Sequence, residues 1–240
     1  MTAGLASTAA ALGQPSPEAP HILPFRPRPL TRGERSSRVV HVFPSPRNDR
    51  VVHIADTAQA AFALKLELDF TCLGYVERPC RLQIDPRYCV DISFWSRHRN
   101  GEARFHLILA DKAKVRTTAG VRAVSDHTAL LDAAARDGYQ LHITTEAQLR
   151  AEMSTLQMAF ELLPWVNWHA RLATRSVVRA QVLARLKVTE RLALSSLIEA
   201  ADAPHSHVRA VVAAMIFDGT LAPVDYVPGS ADMIVEVRRA

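Results

Sequence analysis

Cysteine is scarce. Cys72, Cys80 and Cys89 are an odd number at wide spacings, which fits neither a disulfide framework nor a paired zinc motif. A reducing compartment is the expectation. No G-x-x-x-x-G-K-[ST] or G-x-G-x-x-G sequence occurs, so the chain has no recognisable loop for cradling nucleotide phosphates. Ser195, Ser196 and the cysteines lack a G-x-S-x-G setting, which leaves nucleophilic hydrolase chemistry without support. No apolar run approaches the length of a membrane span, and the start "MTAGLASTAAALGQPSPEAP" has neither the basic opening nor the continuous apolar core of a secretory leader. A soluble cytoplasmic protein with no membrane partner is expected. Internal repeats are absent.

Acidic residues are also missing from one long span. Between Glu161 and Glu190 stand Arg171, Arg175, Arg179, Arg185 and Lys187 with no counter-charge. The first three fall at i, i+4 and i+8, which reads as a basic stripe on one side of a helix, suited to phosphates or an acidic partner surface. A solvated face is the plainer alternative. Trp165 and Trp168 beside it read as packing residues.

What is present is a globular composition: 240 residues, 48% hydrophobic and 22% charged, with a formal net charge of +5. Residues 1–50 hold seven arginines against Glu18, Glu34 and Asp49, and eight of the fourteen prolines precede residue 47. Residues 1–37 therefore read as a disordered Pro/Arg-rich tail, able to hold nucleic acid or merely solubilising. "RVVHVFPSPRNDRVVHIAD" predicts two short strands around a turn. In "TAQAAFALKLELDF", Ala58, Phe62, Leu66 and Phe70 recur at helical spacing, with Asp56 or Thr57 as cap and Gly74 as the stop. "YVERPCRLQI", "YCVDISFW" and "FHLILAD" read as extended runs. A helix over 124–137 closing on Gly138, a strand "YQLHITT" and a helix from Glu146 follow.

That order argues for a mixed sheet flanked by helices over residues 38–165. Residues 166–240 form a second unit: helix "TERLALSSLIEAAD", a turn at Ala203 and Pro204, helix "HSHVRAVVAAMIFDG", then two strands with Pro228-Gly229 at the tip. This is the order of a winged helix-turn-helix. His205, His207 and Arg209, with Ser206, open its second helix, the end that meets base edges in such units; capping and a solvated face are the alternative. The ten histidines look scattered.

Asn100-Gly101 is a hairpin-turn signal. If the turn centres on that dipeptide, opposed residues sum to 201 and Asp91 faces Ala110 across the hairpin. Asp91, Ala110 and Lys112 would then share one face, and Phe94, Leu107 and Leu109 the other. A carboxylate and an ammonium so placed are what a metal-dependent phosphodiesterase needs, the first to hold a divalent cation and the second to orient the nucleophile or steady negative charge. A cross-strand ion pair is the plainer reading.

"DTAQAAF", "YVERP", "CVDISF", "LADK" and "ITTE" occur in the order and at the intervals of one family. In them the chain resembles TnsA, the endonuclease subunit of heteromeric cut-and-paste transposases, over most of residues 38–240. The resemblance implies an α/β restriction-endonuclease-like domain of the PD-(D/E)XK type followed by a winged helix, with Mg²⁺ (or Mn²⁺) as cofactor. The implied partners are DNA at the transposon ends, a DDE transposase and an AAA+ ATPase. It places the metal-binding aspartate at Asp91 and the catalytic lysine at Lys112. The family's helix glutamate falls on Gln59, and its strand Glu or Gln on Ala110. An amide offers one uncharged oxygen and an alanine only its backbone carbonyl, so metal affinity should fall. Asp56, one turn before Gln59, is the candidate substitute, although capping explains it too. Two expectations follow: an endonuclease acting at the element's 5′ ends, or a degenerate nuclease fold kept as a scaffold for DNA and partners.

Overall fold

The computed structural model describes residues 24–110, 127–230 and 232–238. The described residues form a mixed α/β structure. In chain order its elements begin with α1 (Arg32–Ser37), β1 (His41–Ser45), β2 (Arg50–Ile54) and α2 (Thr57–Leu68). β3 (Cys72–Glu77), β4 (Arg81–Asp85), β5 (Tyr88–Asp91), β6 (Phe94–His98) and β7 (Ala103–Leu109) follow. Next come α3 (His127–Arg136), β8 (Leu141–Thr145), α4 (Glu146–Ala151) and α5 (Met153–His169). The last are α6 (Arg175–Val188), β9 (Arg191–Ala193), α7 (Leu194–Ala200), α8 (His205–Phe217), β10 (Leu221–Tyr226) and β11 (Met233–Val237).

The central layer is a four-stranded sheet in the order β3-β6-β7-β8, antiparallel except for the parallel pair β7 and β8. Side chains alternate between its faces, and the sequence alternates with them. Tyr75 and Phe94 turn toward α2, where they join Phe62, Ala63 and Leu66. Their neighbours Val76 and Trp95 turn the other way with Phe105, Leu107 and Leu109, and meet Leu130, Ala133 and Ala134 of α3. A third core joins α5, α6, α7 and α8 with β10 and β11. Leu64 and Phe43 touch both this core and the one under α2, so the layers are continuous.

Local signals explain several element ends. Asp56 caps α2 by accepting from the Gln59 N–H at 3.0 Å, and Thr145 with Gln148 forms a capping box that starts α4. α3 ends at Arg136, and Gly138 just beyond it takes φ +74°; residues 124–126 of the expected helix lie outside the described residues. No helix among the described residues is long and apolar enough to cross a membrane.

The structure departs from the sequence reading in three places. The hairpin register sums to 200, with Phe94 opposite His106 and Arg97 opposite Ala103. Its loop has three residues, Arg99 to Gly101, and Gly101 takes the left-handed φ of +85°. A one-residue change of register exchanges the faces, so Phe94 sits with His106 and away from Leu107 and Leu109. Gly74 does not stop α2; the helix ends at Leu68, and Gly74 lies within β3 beside a register shift. The expected tail is ordered from residue 24. Phe25 packs edge-on against Trp95 and Phe105, both at 5.7 Å, and Leu30 is buried. Residues 165 and 166, where the two expected units meet, lie within α5.

Candidate functional site

Asp91 ends β5, which leaves the central sheet and pairs with β4. Its cross-strand partner is therefore Arg81 and not Ala110. Arg81 Nε donates to Asp91 Oδ1 at 2.9 Å, and Arg28 Nη2 reaches the same oxygen at 2.7 Å. The Asp91 side chain is 47% exposed, so each pair is partly solvated and modest in energy. The turn at Asp85-Pro86 was the signal that β4 and β5 form their own hairpin; for Arg28, far away in sequence, no local signal exists.

Asp91 nonetheless shares a cavity of about 600 Å³ with Gln59, Ala110 and Asp56. The structure thus brings together three of the positions named by the resemblance. Lys112 and Asp111 lie outside the described residues. On one side the cavity wall is the amino-terminal segment, through Leu30, Glu34 and Arg38. On another it is Arg78, a buried residue with the left-handed φ of +50°, whose Nε donates to Arg28 O at 2.8 Å and Nη1 to His53 O at 2.9 Å. Burial lowers the Arg78 pKa.

These residues do not fit a divalent cation. Asp91 Oδ1 is engaged by two guanidinium groups, Asp56 spends Oδ1 on the α2 cap, Glu34 is held in the Thr31 capping box, Glu146 pairs with Arg150, Gln59 is uncharged and Ala110 has no side-chain oxygen. Among the described residues, no group of three or more His, Cys, Asp or Glu side chains is placed to hold a metal.

Sequence reading missed two buried polar networks. Three of the histidines that look scattered meet on adjacent strands: Ser96 Oγ lies 2.9 Å from His98 Nε2 and 2.7 Å from His106 Nε2, and the His106 and His142 rings are 5.7 Å apart. Burial, then His142 and His98, pushes His106 down to about 3. Asp69 Oδ2 lies 3.6 Å from His98 Nδ1, but Ser96 is wholly buried, so the Asp69-His98-Ser96 order offers no nucleophile to a substrate. The second network centres on Glu67, which is fully buried and accepts from Tyr75 Oη at 2.7 Å and from Ser45 Oγ. Burial raises its pKa. Periodicity alone gives no warning that a glutamate occupies a core position.

The basic stripe is broken. α5 ends at His169 and α6 starts at Arg175, so Arg171 sits in the turn between them and not on one helix with Arg175 and Arg179. Arg179 is bound within the protein, to Asp218 at 2.7 Å and Thr220 Oγ1 at 2.6 Å. Arg171 and Arg175 are exposed. At the start of α8, His205 is exposed, while His207 Nδ1 lies 2.9 Å from Thr174 Oγ1 and its ring meets Trp168 at 5.5 Å. Arg209 lies over the Trp165 ring at 5.7 Å. His207 and Arg209 therefore pack against α5 through its Trp168 and Trp165. No family model matches the chain, and no curated protein matches it.

Proposed function

We propose that the chain is a TnsA-like subunit of a heteromeric transposase, with a restriction-endonuclease-like domain and a winged-helix domain, acting as a DNA-binding and partner-docking scaffold. The carrying observation is the state of Asp91, held by Arg28 and Arg81 while Gln59 and Ala110 stand where further metal-site oxygens are wanted. The mixed sheet between α2 and α3 supports the first domain, and α7, α8, β10 and β11 in that order support the second. The net charge of +5 and the exposed Arg171, Arg175 and Arg185 support contact with the phosphates of element ends. A DDE transposase and an AAA+ ATPase are the partners this reading requires.

The endonuclease reading stands second, favoured by the cavity that Asp91, Gln59 and Ala110 share. It keeps Asp91 and Lys112 as the working pair. Incubation with the partner transposase, element-end duplex and Mg²⁺ or Mn²⁺ separates the two. The scaffold reading expects an assembled complex without 5′ nicks, unchanged by Asp91→Ala. Nicks that disappear in that variant would overturn it.

A further inference from the structure

We infer that residues 24–38 form a releasable strap, in which Arg28 occupies the Asp91 carboxylate and closes one side of the cavity until a polyanion draws the segment away. The inference rests on the proposed DNA contact only for its trigger.

The strap touches the body at few points. Phe25 sits against Trp95 and Phe105, Leu30 is buried, and Arg28 and Arg78 exchange N–H···O bonds of 3.3 and 2.8 Å through Arg28 N and O. α1 buries no residue. Segments with so few buried contacts open more readily than the core they cover. The ion pair is also imperfect: Arg28 Nε is buried without a hydrogen-bond partner, and Arg28 and Arg81 share a single oxygen of Asp91. An orphaned buried N–H weakens the docked state.

Charge supplies the trigger. Residues 24–38 carry Arg26, Arg28, Arg32, Arg35 and Arg38 against Glu34 alone. Inside, Arg28 has one carboxylate to share with Arg81; outside, a duplex offers these arginines a row of phosphates. Once the strap lifts, Asp91 loses one of its two cations and the cavity loses the wall made by Leu30, Glu34 and Arg38.

Amide exchange on the full chain tests this. Residues 24–38 should exchange about fivefold faster in Arg28→Ala and in Asp91→Asn, the size of a partly exposed ion pair, with β6 and β7 unchanged. Wild type should show the same loosening with a short duplex, and none with inorganic phosphate at equal ionic strength. Strap protection that equals the core in every sample, rises with duplex, or falls equally with phosphate overturns the strap. Fluorescence anisotropy on the same samples reports duplex binding. Its absence would sink the proposed function, while exchange in the two variants would still decide the strap.

Discussion

Arg47 Nη2 donates to the carbonyl of Phe217 at 2.8 Å, joining residues 170 apart in the chain. The same guanidinium donates from Nε to Leu66 O and Glu67 O at 3.0 and 2.9 Å, and from Nη1 to Cys72 O at 2.7 Å. Helix ends leave carbonyls without partners, and this one side chain satisfies the last turns of α2 and α8 together. Arg47→Ala should therefore cost about 3 kcal/mol in urea unfolding, because a charged donor is lost and buried carbonyls are orphaned. Arg47→Lys should recover only part of that, since an ammonium lacks the planar fork.

Mild acid should destabilise the protein through the histidine network. His106 has its folded pKa lowered from 6.5 to about 3, and His98 and His142 are lowered too. Between the two values the unfolded chain binds the proton and the folded chain does not. The stabilisation is present in full above about pH 6.5 and is lost as pH falls below it, by about 1.4 kcal/mol per pH unit for His106 alone. Urea midpoints between pH 7 and pH 5 should fall accordingly, with a shallower slope in His106→Gln.

Two glycines with similar backbones should respond differently to alanine. Gly101 takes φ +85° and has open space around the missing Cβ; Gly219 takes φ +83°, and a Cβ there would lie 2.5 Å from Phe70 Cγ. Gly101→Ala should cost about 1 kcal/mol from backbone strain alone. Overpacking adds to strain at Gly219, so Gly219→Ala should cost about 3 kcal/mol. Thermal melts of the two variants make the comparison.

The arginines around α6 should separate by role. In DNA titrations against salt, Arg171→Ala and Arg175→Ala should each reduce the slope of log K by about 0.9, with stability unchanged in Arg171→Ala and slightly lowered in Arg175→Ala, whose Nη1 donates to Ala170 O at 2.9 Å. Arg179→Ala should instead lower stability, because Arg179 holds Asp218 and Thr220.

Local chemistry was legible in the sequence and long-range geometry was not. Asp56 or Thr57 marked a helix start because a cap acts within one turn, and Asn100-Gly101 marked the hairpin. The dipeptide does not say whether Arg99 belongs to the loop, and that single residue decides which face Phe94 takes. Arg28 meets Asp91, and His98 meets His106 and His142, only because the fold brings separate segments together. Gln59 and Ala110 were assigned by resemblance and do share the Asp91 cavity, yet nothing in the sequence showed that two arginines hold that carboxylate.

α5 has one further consequence. Leu156 lies in the core beneath α2, and Leu162 and Val166 lie in the core with α6 and α8. A helix of 17 residues is about 25 Å long, and this one carries Pro164 between Leu162 and Val166. It therefore ties the two cores into one unit, and the backbone donor that Pro164 lacks makes that stretch, just before Trp165, the softest part of the tie.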